Sequence, residues 1–184
     1  MVEEKELVAA LQTEAEREAA FRELVAQFKE RLYWQIRNMV LDHDDADDVL
    51  QNTFIKIFRN INSFKGESKL HTWMYRIAAN ESITFLNKKA KRNNVSIDNI
   101  KDNALRKLES DVYFEGDAIQ LQLQKAIATL PDRQRLIFTM KYFEDHTFEE
   151  LSEILETSVG GLKSSYHIAV KKITEFIKTQ DETL

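Results

Sequence analysis

Glycine and proline occur at only five of the 184 positions: Gly66, Gly116, Pro131, Gly160 and Gly161. Both residue types are costly inside helices and cheap at their ends, so their scarcity leaves long stretches free to be helical and makes these positions punctuation. Between them the apolar residues recur at helical spacing. One run passes through Phe21, Leu24, Val25, Phe28, Leu32 and Ile36, and a second through Ala46, Val49, Leu50, Phe54, Ile57 and Phe58. A third, from about Lys69 to Lys89, uses Leu70, Trp73, Met74, Ile77 and Phe85, with Ser68 placed to cap it. No strand alternation competes. The expected fold is all-α, and 43% hydrophobic content is enough for a real core.

The periodicity divides the chain. Residues 1–17 read as an amphipathic helical extension, with Thr13 and Glu16 at capping-box spacing for the next helix. Residues 18–90 hold the three runs and make one small helical domain. Over 91–117 the periodicity fades around isolated Val95, Ile97, Ile100 and Leu105, which reads as a flexible linker. Helical order resumes over 118–178, where Pro131 suits the first turn of a helix, and a short tail, 179–184, follows.

Charge is distributed unevenly. The net charge of −5 argues against indiscriminate nucleic-acid binding, yet the segment from Lys65 to Arg92 holds 7 basic and 2 acidic residues, while the first 50 residues hold 6 basic and 13 acidic. There is no cysteine, so neither a disulfide framework nor a thiolate metal site can form, and the N-terminus has no basic start or long apolar run. A cytoplasmic protein without a bound metal or cofactor is the expectation.

Thr147 and Glu150 again have capping-box spacing, ahead of a short helix with Leu151, Ile154 and Leu155 on one face. Ser158 can cap a longer helix whose stripe is Val159, Leu162, Tyr166, Ala169, Ile173 and Phe176. Such a pair is a helix-turn-helix, in a homeodomain-like or winged-helix-like bundle of three to four helices without strands. Lys163, Ser164, Ser165 and His167 would face base edges and Lys171 and Lys172 phosphates, while Gly160 and Gly161 let a DNA backbone come close. A plain helical hairpin with solvated lysines has the same spacing.

The runs Leu130-Pro131-Asp132-Arg133-Gln134-Arg135, Phe148-Glu149-Glu150-Leu151-Ser152-Glu153-Ile154-Leu155 and Ser158-Val159-Gly160 with Leu162-Lys163-Ser164 add a family likeness. They resemble the promoter-reading fourth domain of RNA polymerase sigma factors of the extracytoplasmic-function type, in the sigma-70 family. Upstream, Asp44-Asp45-Ala46-Asp47-Asp48-Val49-Leu50-Gln51-Asn52-Thr53-Phe54-Ile55 is similar to the helix by which the family's second domain grips the polymerase clamp. Phe64-Lys65-Gly66-Glu67-Ser68-Lys69-Leu70 and Thr72-Trp73-Met74-Tyr75-Arg76-Ile77-Ala78-Ala79-Asn80 are similar to its loop and helix that open and hold the −10 element.

The resemblance implies a dissociable, non-catalytic initiation subunit whose partners are core RNA polymerase (clamp and flap), promoter DNA and an anti-sigma factor, membrane-anchored in some members, with no small-molecule substrate. It assigns residues 18–90 as the second domain and 118–178 as the fourth. It implies Asp45, Asp48, Gln51 and Ile55 for the polymerase, Lys65, Lys69, Trp73, Arg76 and Asn80 for the −10 strand, and the helix from Ser158 for the −35 element. The likeness departs from the family at Gly161, Ser165, Ile168 and Val170, which leave a recognition helix with few cations.

Two other readings use the same residues. A sigma-mimicking helical adaptor would bind protein but not DNA, which the thin basic face permits. The Asp44–Asp48 run also matches the DDxxD motif of helical isoprenoid synthases, where carboxylates hold magnesium, but the chain is short for that fold and lacks a second acidic motif.

Overall fold

The computed structural model describes residues 4–108 and 118–181; Gly116, the last third of the linker and the end of the tail lie outside them. Helix α1 spans Glu4–Gln12, α2 Arg17–Val40, α3 His43–Asn60 and α4 Leu70–Asn93, with a 3-10 turn at Ile61–Ser63. Then follow α5 (Ile97–Leu108), α6 (Ala118–Ala128), α7 (Asp132–Tyr142), α8 (Phe148–Leu155) and α9 (Val159–Asp181). No strand occurs among the described residues.

The break between α2 and α3 needs neither glycine nor proline. Leu41 adopts a left-handed φ of 66° and its N–H bonds to the Arg37 carbonyl at 2.9 Å, while Asp42 caps α3 by accepting from the Asp45 N–H at 3.1 Å. That φ is unfavourable for a leucine, and burial of its side chain, 2% exposed, offsets the cost. The N-terminal bundle closes over Leu24, Leu32 and Ile36 of α2, Val49 and Ile57 of α3, and Met74, Ala78 and Leu86 of α4. Phe21 meets Phe54 and Phe58 edge-on, at ring separations of 6.1 and 4.9 Å. The buried hydroxyls of Thr53 and Ser82 donate to the carbonyls one turn back, at 2.8 and 2.9 Å, so neither is left unsatisfied.

The C-terminal bundle buries Ala126, Ile127, Leu130, Phe138, Ala169 and Ile173. The capping box at Thr147 and Glu150 forms in full. Ser158 caps α9, its hydroxyl accepting from the Gly161 N–H at 3.2 Å.

Other local expectations give way. The Thr13–Glu16 box does not form, because the Thr13 hydroxyl donates back to the Ala9 carbonyl at 2.9 Å and Glu16 makes no capping bond. Ser68 is not the cap of α4; Lys69 holds that position without a side-chain bond, and the helix continues to Asn93. Pro131 precedes α7 at the cap position, one residue outside the first turn. The segment read as flexible contains α5, capped by Ser96, whose hydroxyl accepts from the Asn99 N–H at 3.1 Å. Its apolar residues, Ile97, Ile100, Ala104, Leu105 and Leu108, do recur at helical spacing, a period masked by the charged and amide residues around them. Ile100 packs into the N-terminal core, and Leu105 packs against Leu41 and Ala128.

The two bundles also share a seam. Leu136, Ile137 and Met140 of α7 and Ile154 of α8 belong to the same buried cluster as the N-terminal core. Arg135 of α7 is wholly buried there, and its Nη2 donates to the Met39 carbonyl at the end of α2. Its Nε and Nη1 make no hydrogen bond. Burial pushes this guanidinium's pKa down to about 10, against the opposing pull of Asp132, so it stays charged at neutral pH.

Candidate nucleic-acid and polymerase interface

Helix α3 presents Asp48, Gln51 and Ile55 on one exposed strip, as their spacing of three and four requires. Ile55 is an exposed apolar residue in this otherwise polar strip. Asp45 continues the strip but turns inward, where its carboxylate is bonded by Lys89 of α4. It braces α3 against α4 and offers little surface to a partner.

Past the 3-10 turn the chain loops to α4, and Gly66, at φ 72°, makes the bend that other residues adopt poorly. Lys65 and Lys69 are exposed on this loop. Trp73 is half-buried against Phe64, with ring centroids 5.4 Å apart, so one face serves the core and part of the ring stays accessible. A cleft of about 570 Å³ opens between loop and helix, lined among others by Phe64, Lys65, Ser68, Trp73 and Arg76. Asn80 is exposed one turn further along α4. The cleft sets an accessible aromatic face and the cations Lys65 and Arg76 beside three carboxylates, Glu67, Glu153 and Glu156, so an unstacked base can stack on the ring while the carboxylates oppose its phosphates.

Arg76 is engaged by groups that no local motif indicates. Its Nε donates to the Ile154 carbonyl at 3.2 Å, its Nη2 to the Glu153 carbonyl at 2.5 Å and its Nη1 to the Glu156 carboxylate at 2.6 Å. These groups form the C-terminal end of α8, where unpaired carbonyls and the helix dipole favour a cation. Glu156 ends that helix at φ 50°. In this arrangement α8 closes one wall of the cleft.

On α9 the buried stripe of Leu162, Ala169 and Ile173 directs Ser164, His167 and Lys171 outward. Lys163 and Lys172 flank this strip, each about 90° around the helix from its centre. Lys163 lies over the Phe148 ring at 5.8 Å, and Lys172 donates to the Gln134 side chain at 3.1 Å. Ser165 is half-buried. A side chain added at Gly160 would meet nothing within 4 Å, so the protein itself leaves that side of the first turn open.

Comparison with known proteins matches residues 24–92 to the family described as Sigma-70 region 2 and residues 120–173 to Sigma-70, region 4. The ECF RNA polymerase sigma factor SigW of Bacillus subtilis is 31% identical over 156 residues, 80% of this chain and 83% of SigW. The RNA polymerase sigma-H factor of Pseudomonas aeruginosa is 30% identical over 153 residues, 79% of each chain. The chain is a sigma-70 family sigma factor of the extracytoplasmic-function type. It is therefore not an enzyme in its own right but a subunit that gives RNA polymerase promoter-specific initiation, which displaces the isoprenoid-synthase and adaptor readings.

Two solved structures share the sigma factor's helical fold. CnrH in complex with the cytosolic domain of CnrY superposes with a TM-score of 0.67 at 19% identity, covering 96% of this chain and 97% of that one. The sigma factor RpoE from Bartonella quintana, in complex with the anti-sigma factor NepR, gives 0.66 at 19% identity, covering 86% and 96%. No described helix is long and apolar enough to cross a membrane.

Proposed function

We propose that residues 18–90 of the sigma factor bind core polymerase and capture the −10 element, and that residues 118–178 read the −35 element. Asp48, Gln51 and Ile55 meet the polymerase clamp, while Asp45 holds their helix in place. Lys65, Lys69, Trp73, Arg76 and Asn80 take the melted strand. Ser164 and His167 approach base edges; Lys163, read from the sequence as a base contact, flanks their strip and meets phosphate with Lys171 and Lys172, while half-buried Ser165 faces away from it. The observation that carries this reading is the cleft beside Trp73, where Lys65, an accessible aromatic face and Arg76 converge, with Lys69 exposed on the same loop.

The factor works with polymerase in the cell interior. By analogy with the two structural neighbours, each seen with a bound protein partner, an anti-sigma factor holds it when initiation is not wanted. Run-off transcription with purified core polymerase and a promoter library tests the assignment. Discrete promoter-specific transcripts are expected from the wild type, and replacing Lys65 and Lys69 together by Ala should reduce them while core binding persists. Unchanged transcript levels in that variant would refute the −10 assignment.

A further inference from the structure

The loop that carries Lys65 and Lys69 supplies little of its own fixation. Ser68 makes only a 3.4 Å contact to the Lys69 carbonyl, and Lys69 leaves the start of α4 uncapped. The missing bond comes from the far end of the chain. Glu4, in the first turn of α1, accepts from the Leu70 N–H at 2.9 Å, placing a carboxylate where an N-terminal helix N–H without an intrahelical partner and the dipole both favour it.

At the other end of α1, Gln12 donates through Nε2 to the carbonyls of Ile61 at 3.1 Å and Phe64 at 3.0 Å. Just beyond, Arg17 joins the Leu11 carbonyl to the Asn62 side chain, each at 3.0 Å. Leu7 and Leu11, 4% and 1% exposed, root the helix in the core between these polar ends. Eight residues separate Glu4 from Gln12, about 12 Å of helix, so α1 is a rigid bar holding both ends of the loop in register.

We propose that α1 is a positioning element for promoter melting, in which Glu4 and Gln12 pre-arrange the loop bearing Lys65 and Lys69 without touching DNA themselves. The inference rests on the −10 assignment. Pre-arrangement matters where binding must offset an opposing cost, and unpairing the duplex is such a cost, whereas the strip of α3 owes nothing to these bonds.

The test is open-complex formation by the full-length factor with core polymerase, followed by permanganate reactivity of unpaired thymines, on a duplex promoter and on one pre-melted over the −10 element. Replacing Glu4 and Gln12 together by Ala should slow opening of the duplex about tenfold, as expected for losing several hydrogen bonds at once. Most of the defect should disappear on the pre-melted template. Glu4→Gln, which keeps an acceptor oxygen, should restore most of the rate lost in Glu4→Ala, and far-ultraviolet circular dichroism should match the wild type throughout. Opening at the wild-type rate, an equal defect on both templates, or loss of core binding would each overturn the proposal. Lys65→Ala with Lys69→Ala separates the two levels: a defect there, with none in the α1 variant, removes the role of α1 alone, while no defect in either removes the −10 assignment beneath it.

Discussion

Replacing Lys171 by Ala should change how strongly DNA binding depends on salt more than it changes anything else. Lys171 is 77% exposed and lies on the outward strip of α9, and its contact with Glu175, at 3.9 Å between two exposed groups, is too weak to withhold it from a phosphate. With Lys163 and Lys172 on the flanks, α9 can neutralise about three phosphates. Each contributes about 0.9 to the slope of log affinity against log salt, so the wild-type slope should be about −2.7 and that of the variant about −1.8. Between about 50 and 200 mM salt, affinity for duplex DNA should then fall about 40-fold for the wild type and about 12-fold for the variant. Fluorescence anisotropy of a labelled −35 duplex, titrated with the free factor, reads both slopes. An unchanged slope in Lys171→Ala would refute the phosphate assignment. A wild-type slope steeper than about −5 would mean that another basic surface, such as Lys88, Lys91 and Arg92, dominates.

Replacing Asp48 by Lys reverses the charge in the middle of the α3 strip at an exposed site, so core-polymerase association, read by native gel or size exclusion, should be lost without loss of helicity. Retained association would move the interface elsewhere. Thr147→Ala removes half of the α8 capping box and should cost about 1 kcal/mol, a fall of roughly 2–4 °C in thermal midpoint for a chain of this size, read by calorimetry. Glu150, the other half, has its carboxyl held below the ordinary range chiefly by the hydrogen bond from the Thr147 backbone. Its stabilisation is complete above the unfolded carboxyl's pKa and is lost as pH falls through the lower folded value. Glu150→Gln should therefore be less stable than the wild type at neutral pH and converge with it in acid; a constant difference across the range would contradict this cause.

Much of this was legible in the sequence because the relevant physics is local. Helical periodicity marked α2, α3, α4 and the α8–α9 pair, and Thr147, Glu150 and Ser158 cap where short-range spacing places them. Most of the misses are long-range. Nothing near Ser68 says that Glu4, 66 residues before Leu70, occupies the Leu70 N–H in place of a local cap. Asp45 reads as one acid among four until α4 brings Lys89 to it. The α5 helix is locally legible, since Ile97, Ile100, Ala104, Leu105 and Leu108 keep helical spacing, and only the partners of Ile100 and Leu105 in other helices are long-range. The family resemblance implies Arg76 as a DNA contact, and its hold on the end of α8 exists only once the two bundles meet.

The seam at Arg135 has a consequence in length. The −10 and −35 elements lie about 25 base pairs apart, or about 85 Å of B-form helix. A compact chain of 184 residues has a radius of gyration of about 16 Å and is therefore only about 40 Å across. On the proposed −10 and −35 assignments, the joined bundles are too short to span both elements, and reading both at once would require α7 and α8 to part from α2 and α4. Parting them would return to water the Arg135 guanidinium, two of whose nitrogens are unsatisfied in the seam, and would free Arg76 at the same stroke.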